Sequence, residues 1–304
     1  MDDGGPDLRI VVGAATDVGG RGENEDTVLV TRLAAVGDGV SSLADGYLVA
    51  VADGMGGYHR GEVASRLAVN TIQEMFADDP GADSALLLKQ AFRRANEAIF
   101  ADGRGAGSSS MMGTTLVAMA IRGQYATVAS IGDSRVYLIR ANQLTQITQD
   151  HSLVAEQVNL GSLTAEEARE SAHRNILTQA LGHRALLDKK MPDIFELTLL
   201  PEDRLLLCSD GFYDVVPDQE MASIVIGHEA ETAAKRLVDL AVARGTTDNV
   251  SAVVVEALPS RTTVKRELVM AGAERRPPSY LFPALALLGI IVFVAIVLFV
   301  LTFM

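Results

Sequence analysis

The chain has 304 residues, 48% of them hydrophobic, which is enough for one large domain or two small ones. A formal net charge of −13 excludes nucleic acid as the main partner, because phosphate contacts need a basic face. The single cysteine, Cys208, excludes an intramolecular disulfide and suits a reducing compartment.

In chain order, residues 1–6 are polar and Gly-rich and read as a disordered tail. From 7 to 258, short runs of Val, Ile, Leu and Ala alternate with helical stretches. Strands are predicted at 27–31 and 46–52. A helix follows at 62–76, where Val63, Ala64, Leu67, Ala68, Thr71, Ile72 and Met75 form one apolar stripe. A second helix, 84–100, follows a short polar connection and should pack antiparallel to it. Strands at 114–122, 126–131 and 136–140 have connections too short for parallel crossovers, so antiparallel neighbours are expected. Then come a helix at 164–172, with Thr164 and Glu167 spaced as a capping box, a strand at 204–209, helices at 218–226 and 232–243, and a strand at 250–256. Residues 259–279 are charged, then Pro-rich ("ERRPPS"), and read as a juxtamembrane linker. Residues 280–304, "YLFPALALLGIIVFVAIVLFVLTFM", carry no charge. As a helix they cover roughly 37 Å, enough to span a bilayer. Arg261, Lys265, Arg266, Arg275 and Arg276 precede this span. Positive flanks stay on the cytoplasmic side, so the expected arrangement is single-pass, with a C-terminal anchor and residues 1 to 279 in the cytoplasm. The acidic N-terminus has no apolar signal-peptide core.

Two apolar runs stop on Asp-Gly: "YLVAVADG" at Asp53-Gly54 and "LLLCSDG" at Asp210-Gly211. Asp133, in "SIGDSR", also follows a strand. Glu25 and Asp26, in "GRGENEDTVLV", and Asp248, in "GTTDNV", precede strands. In antiparallel sheets, the C-terminal end of one strand lies beside the N-terminal end of the next. All six acids are therefore expected along one edge. A single Asp-Gly is an ordinary turn pair. Six carboxylates on one edge repel one another unless cations sit among them, and hard divalent ions take oxygen ligands. Glycine after the aspartate frees the backbone to bend, so that its carbonyl too can face a metal. Two such ions can activate a water for in-line attack at phosphorus. Arg21, five residues before Asp26, is the candidate fork for phosphate oxygens.

These segments resemble a known family. "RGENED", "VADGMGG", "MGTTL", "IGDSRVYLIR", "LLLCSDGFYDVV" and "TTDNVSAVVV" occur in the order and approximate spacing of the metal-dependent protein phosphatases, the type 2C serine/threonine phosphatases. "DGMGG" is closest to the bacterial branch, whose members oppose membrane-tethered serine/threonine kinases. The resemblance covers roughly residues 8–258. It implies an α+β fold of two packed antiparallel sheets flanked by helix pairs, a four-layer α-β-β-α sandwich. The C-terminal transmembrane helix is additional to it. It also implies hydrolysis of phosphoserine and phosphothreonine in proteins by a metal-bound hydroxide at a binuclear Mn²⁺ or Mg²⁺ centre. By motif, Asp53 would bridge both metals and the Gly54 carbonyl would bind one. Asp210 and Asp248 would complete the first site, and Glu25 and Asp26 would hold the second, mostly through water. Asp133 would bind a third, weaker metal. Arg21 would bind phosphate, and residues from about 151 to 182 would form a mobile flap. The implied partners are phosphorylated proteins, the opposing kinase and the membrane.

Two positions depart from the pattern: many bacterial members have "GMGGH", and here Tyr58 stands in place of that histidine, followed by His59. Some members carry a histidine two residues after the bridging aspartate, as general acid; here Met55 stands there. His59, behind Tyr58, is the candidate proton donor, with a metal-bound water as the alternative. Cysteine-based chemistry is excluded, because Cys-x5-Arg is needed and the sixth residue after Cys208 is Asp214. "DGFYD" does not supply the Asp-x-Asp of aspartyl-phosphate enzymes. The competing reading is an inactive, membrane-anchored scaffold that binds phosphoproteins. Such relatives lose metal ligands, whereas this chain keeps every acid of the motif.

Overall fold

The structure, a computed structural model, describes residues 8–36, 45–56, 60–105 and 112–260. The expected tail at 1–6, all of the expected 259–279 linker except Pro259 and Ser260, the span at 280–304 and the candidate acid His59 lie outside the described residues. Among the described residues no helix is long and apolar enough to cross a membrane.

The chain begins with strands β1 (Leu8–Asp17), β2 (Asp26–Leu33) and β3 (Gly46–Met55). Helices α1 (Arg60–Asp78) and α2 (Ser84–Gly105) follow. Next come β4 (Gly113–Thr114), β5 (Leu116–Arg122), β6 (Tyr125–Ile131), β7 (Arg135–Arg140) and β8 (Gln143–Gln146). Two short helices, α3 (Leu153–Asn159) and α4 (Ala165–Glu170), lead to β9 (Asp193–Thr198) and β10 (Arg204–Cys208). The last elements are α5 (Asp210–Tyr213), α6 (Asp218–Gly227), α7 (Ala230–Ala243) and β11 (Val250–Pro259).

The strands form two antiparallel sheets. One has the order β1-β11-β10-β7-β8, and the other β2-β3-β5-β6-β9, with β4 on the end of β3. The pleat alternates side chains between faces, and here both faces are buried. In β10, Leu205 and Leu207 pack between the sheets, while Leu206 and Cys208 face α6 and α7. In β3, Val49 and Val51 point between the sheets, while Leu48, Ala50 and Ala52 face α1 and α2. These strands read as unbroken apolar runs for that reason. The layers run helix, sheet, sheet, helix, each pair sealed by its own apolar cluster.

Every helix read from periodicity is present within a few residues, and Thr164 and Glu167 do form the capping box. Four details differ. First, β6 and β7 are not paired neighbours. The turn at 132–134 carries the chain from one sheet to the other, and β7 pairs with β10 and β8. Second, β3 does not end at Asp53. It continues to Met55 because Gly54 and Met55 pair with β4. Third, Asp210 opens a short helix instead of a turn. Fourth, β1, β8, β9, α3 and α5 were not anticipated: they are short, half-exposed, or poor in β-branched residues. β1 pairs with β11 over its whole length, from Leu8↔Pro259 to Asp17↔Val250.

Phe92, on α2, is fully buried in the outer cluster against β3, β5 and β6. Phe92→Ala is expected to lower the unfolding free energy by about 3–5 kcal/mol, as a cavity there cannot collapse fully. Urea unfolding with an unchanged m-value checks this; a loss below about 1 kcal/mol would mean that the cluster is loosely packed.

Candidate active site

Asp26 and Asp53 face each other directly across the β2–β3 ladder. The sequence reading put them on one edge, and the antiparallel register makes them opposite residues. The Asp53 backbone is held by the "MGTT" segment. Thr115 donates its N–H to the Asp53 carbonyl at 2.9 Å, and Thr114 Oγ1 donates to the same oxygen at 2.8 Å. The Asp53 N–H donates to Thr115 Oγ1 at 3.0 Å. The second sheet brings Asp210 at the end of β10, and Asp248 just before β11. Ser209 Oγ donates to Asp26 Oδ2 at 2.8 Å, which ties the two sheets together at the site. Asp133 sits on the turn where the chain changes sheets, and is 7% exposed.

Burial and mutual repulsion dominate the electrostatics. Burial, then the charges of Asp26, Asp210, Asp133 and Asp248, hold the Asp53 carboxyl well above its ordinary range. Asp26 is pushed up to about 7 by burial first, against the hydrogen bonds from Ser251 and Ser209 that lower it. Asp210 rises to about 6, again by burial first, then by Asp248 and Asp214. Asp133 is raised by burial, then by Asp210 and Asp150. Asp26 Oδ1 and Asp210 Oδ1 are buried without a hydrogen-bond partner.

These orphaned oxygens are what a hard divalent cation would satisfy, so the acid set fits such ions in charge and chemistry. Among the described residues, however, no group of three or more His, Cys, Asp or Glu side chains stands in ready ligand arrangement. The set is looser than a closed coordination sphere. Waters and backbone oxygens would have to supply the remaining ligands, as is usual for Mg²⁺.

Glu25 stands somewhat apart. Its carboxylate lies against the first turn of α1 and takes a hydrogen bond from the Gly61 N–H, while burial raises its pKa. A Cβ on Gly61 would fall 2.5 Å from the Glu25 carboxyl carbon, so a larger residue there would push the Glu25 carboxylate aside. Gly54 also serves close approach: an added Cβ would meet the Gly61 carbonyl oxygen at 2.1 Å. The glycine after Asp53 thus lets α1 and the Glu25 loop close over β3, a reason the sequence reading did not supply. Arg21 is half exposed, and its Nη2 lies 2.5 Å from Asp248 Oδ2. That contact, ahead of desolvation, raises the Arg21 pKa.

Asn249 was missed, although "TTDNV" contains it. Its Nδ2 donates to the Val18 and Glu23 carbonyls, and its Oδ1 accepts the Glu25 N–H at 2.8 Å. One side chain therefore shapes the loop that carries Arg21 and Glu25. Buried Asn next to a candidate ligand was the available signal. Thr114, Thr115 and Ser209 were likewise quoted in motifs without a role.

The sequence profile of the family "Protein phosphatase 2C" matches residues 19–250. The chain belongs to the protein phosphatase 2C family. Among similar members of this family is the Mycobacterium tuberculosis serine/threonine protein phosphatase PstP, 39% identical over 217 residues. That match covers 71% of this chain and 41% of PstP, so the chain spans less than half the length of that relative. The Listeria monocytogenes serine/threonine phosphatase stp is 34% identical over 214 residues, covering 69% of this chain and 84% of stp. The crystal structure of the PstP catalytic domain, in complex with two manganese ions, superposes with a TM-score of 0.70 at 36% identity. It covers 83% of this chain and 99% of that one. Stp1 of Staphylococcus aureus gives a TM-score of 0.72 at 28% identity, covering 84% of this chain and 98% of that one.

For Asp26 and Asp210, the folded pKa lies above the ordinary 3.8, so the metal-free folded chain holds protons that the unfolded chain has released. Between that value and about 7, stability should fall as pH rises. In chelator, the melting temperature is expected to drop from pH 5 to pH 7.5, and Asp210→Asn, which removes a repelling charge present at pH 7.5, should raise it there by about 2–4 °C or more. Calorimetry checks both; a melting temperature flat across this range would show that the acids do not repel as described.

Proposed function

We propose that this chain hydrolyses phosphoserine and phosphothreonine in proteins, with two Mn²⁺ or Mg²⁺ ions and a third, weaker one. The observation that carries this reading is the convergence of buried Asp26 and Asp133 with half-buried Asp53 and Asp210, with Asp26 Oδ1 and Asp210 Oδ1 lacking hydrogen-bond partners. Membership of the family and similarity to named serine/threonine phosphatases support it. The manganese ions of the PstP structure support the choice of metal.

In this reading Asp53, the Gly54 carbonyl, Asp210 and Asp248 would hold one ion, and Asp53, Glu25 and Asp26 would hold the other. Bound divalent ions would supply Lewis acidity and a water reactive at neutral pH. Arg21 holds the phosphate oxygens. Being half exposed, it can exchange the Asp248 carboxylate for the substrate's phosphate at small desolvation cost. Asn249 keeps the Arg21 loop in place. Water attacks phosphorus in line, the P–O bond to the serine or threonine oxygen breaks, and that oxygen takes a proton. No phosphoenzyme forms. His59 is the proposed donor, with water as the alternative.

The same proposal includes the setting. The uncharged stretch at 280–304 and the basic residues before it support a C-terminal anchor with the catalytic unit in the cytoplasm. An opposing serine/threonine kinase and its substrates are the proposed partners. The inactive-scaffold alternative gains no support, because every acid of the motif is present.

Residues 1–260, which end just past β11, should release phosphate from a phosphothreonine peptide as Mn²⁺ is added and stop in excess chelator. Asp53→Ala and Asp210→Ala should each lower kcat by about a hundredfold or more, with far-UV circular dichroism unchanged. Arg21→Ala should mainly raise KM. Folded protein without turnover at any Mn²⁺ or Mg²⁺ concentration would overturn the phosphatase reading.

A further inference from the structure

The turn that carries Asp133 is under unusual constraint. Gly132 has φ +98°, and a Cβ there would sit 2.6 Å from Thr115 Cβ. Such a turn needs external support, and His151 supplies it on both sides of one residue, at the N–H and the carbonyl of Gly132. The Gly132 N–H donates to His151 Nδ1 at 3.0 Å, and the His151 N–H donates to the Gly132 carbonyl at 2.9 Å. The imidazole is buried, 9% exposed. Because Nδ1 accepts, the ring proton sits on Nε2, which faces Asp193 Oδ2 at 3.1 Å. Asp193 in turn is fixed in β9, opposite Ser130.

The residue before His151 clamps the other side of the turn. Asp150 takes a forked contact from Arg135, with Nε–Oδ1 at 3.0 Å and Nη2–Oδ2 at 2.7 Å. The Arg135 guanidinium stacks on the Tyr213 ring at 3.5 Å, and Tyr213 Oη donates to the Asp133 carbonyl at 3.0 Å. Among the described residues no side chain hydrogen-bonds the Asp133 carboxylate. Its aim is set through the backbone.

We infer that His151 is a positioning residue for Asp133: oriented by Asp193, it holds the Gly132 peptide so that the Asp133 carboxylate faces Asp210 and the weakest metal position. This rests on the phosphatase reading above. Partners that orient a ligand in this indirect way typically change metal affinity by about 10–100-fold when removed.

The two ring nitrogens can be separated by substitution. In His151→Asn, the amide oxygen overlays Nδ1 and keeps the acceptor for Gly132. In His151→Gln, the amide nitrogen overlays Nε2 and keeps the link to Asp193 but loses that acceptor. Mn²⁺ binding by the full chain, measured by equilibrium dialysis, should be near that of the parent in H151N. In H151Q the weakest class of Mn²⁺ should bind about tenfold or more weakly, matching D133N. H151Q combined with D133N should add nothing further, since both act on one ligand. Equal losses in H151N and H151Q, accompanied by equal falls in melting temperature, would reduce His151 to a structural residue and overturn the inference. So would parent-like binding in both, or additivity with D133N. A parent that binds no Mn²⁺ and releases no phosphate would instead sink the phosphatase reading itself.

Discussion

The structure depends on keeping several carboxylates close together out of water. Asp26 and Asp133 are buried and Asp53 and Asp210 half-buried, and the charges of Asp26, Asp133 and Asp210 all raise the Asp53 pKa. Such a cluster is unfavourable on its own, so the rest of the fold must hold it. Neutral donors do most of that: Thr114 and Thr115 on the Asp53 backbone, Ser209 on Asp26, and Asn249 on the loop of Glu25. Cations are kept at the rim or spent elsewhere. Arg21 pairs with Asp248, and Arg135 with Asp150. The oxygen-rich set suits hard divalent cations, which would offset the repulsion among the acids.

The sandwich is the scaffold that makes this tolerable. Each sheet is buried on both faces, so its strands are rigid and their ends well placed. β2 and β3 bring Asp26 and Asp53 to one register pair, while β10 and the entry to β11 bring Asp210 and Asp248 from the other sheet. Ser209–Asp26 and Thr115–Ser134 then bridge these groups across side chains 2.8 and 2.7 Å apart.

Much of this was legible in the sequence. Helices α1, α2, α6 and α7 announce themselves by one apolar face, and β3, β10 and β11 by unbroken apolar runs. The acids were legible because each sits at an abrupt change from apolar to charged. What was not legible depends on contacts far apart in the chain. β1 carries Gly13-Ala14-Ala15, weak strand formers, and exists because β11 offers it a full ladder. The passage of the chain between sheets at Gly132 cannot be told from a hairpin by connection length alone. Asn249 and His151 look like ordinary polar residues until the loops they hold are brought to them over 224 and 19 positions.

The Asp133 turn belongs to both sheets at once, because β6 lies in one and β7 in the other. Nothing can shift one sheet over the other without dragging that peptide. The site therefore works as a gauge of sheet alignment: a substitution deep in the Val49, Leu207 and Val253 layer that moves the sheets by a fraction of an ångström is read out at Asp133. Residues with no contact to substrate thereby gain leverage over the placement of Asp133.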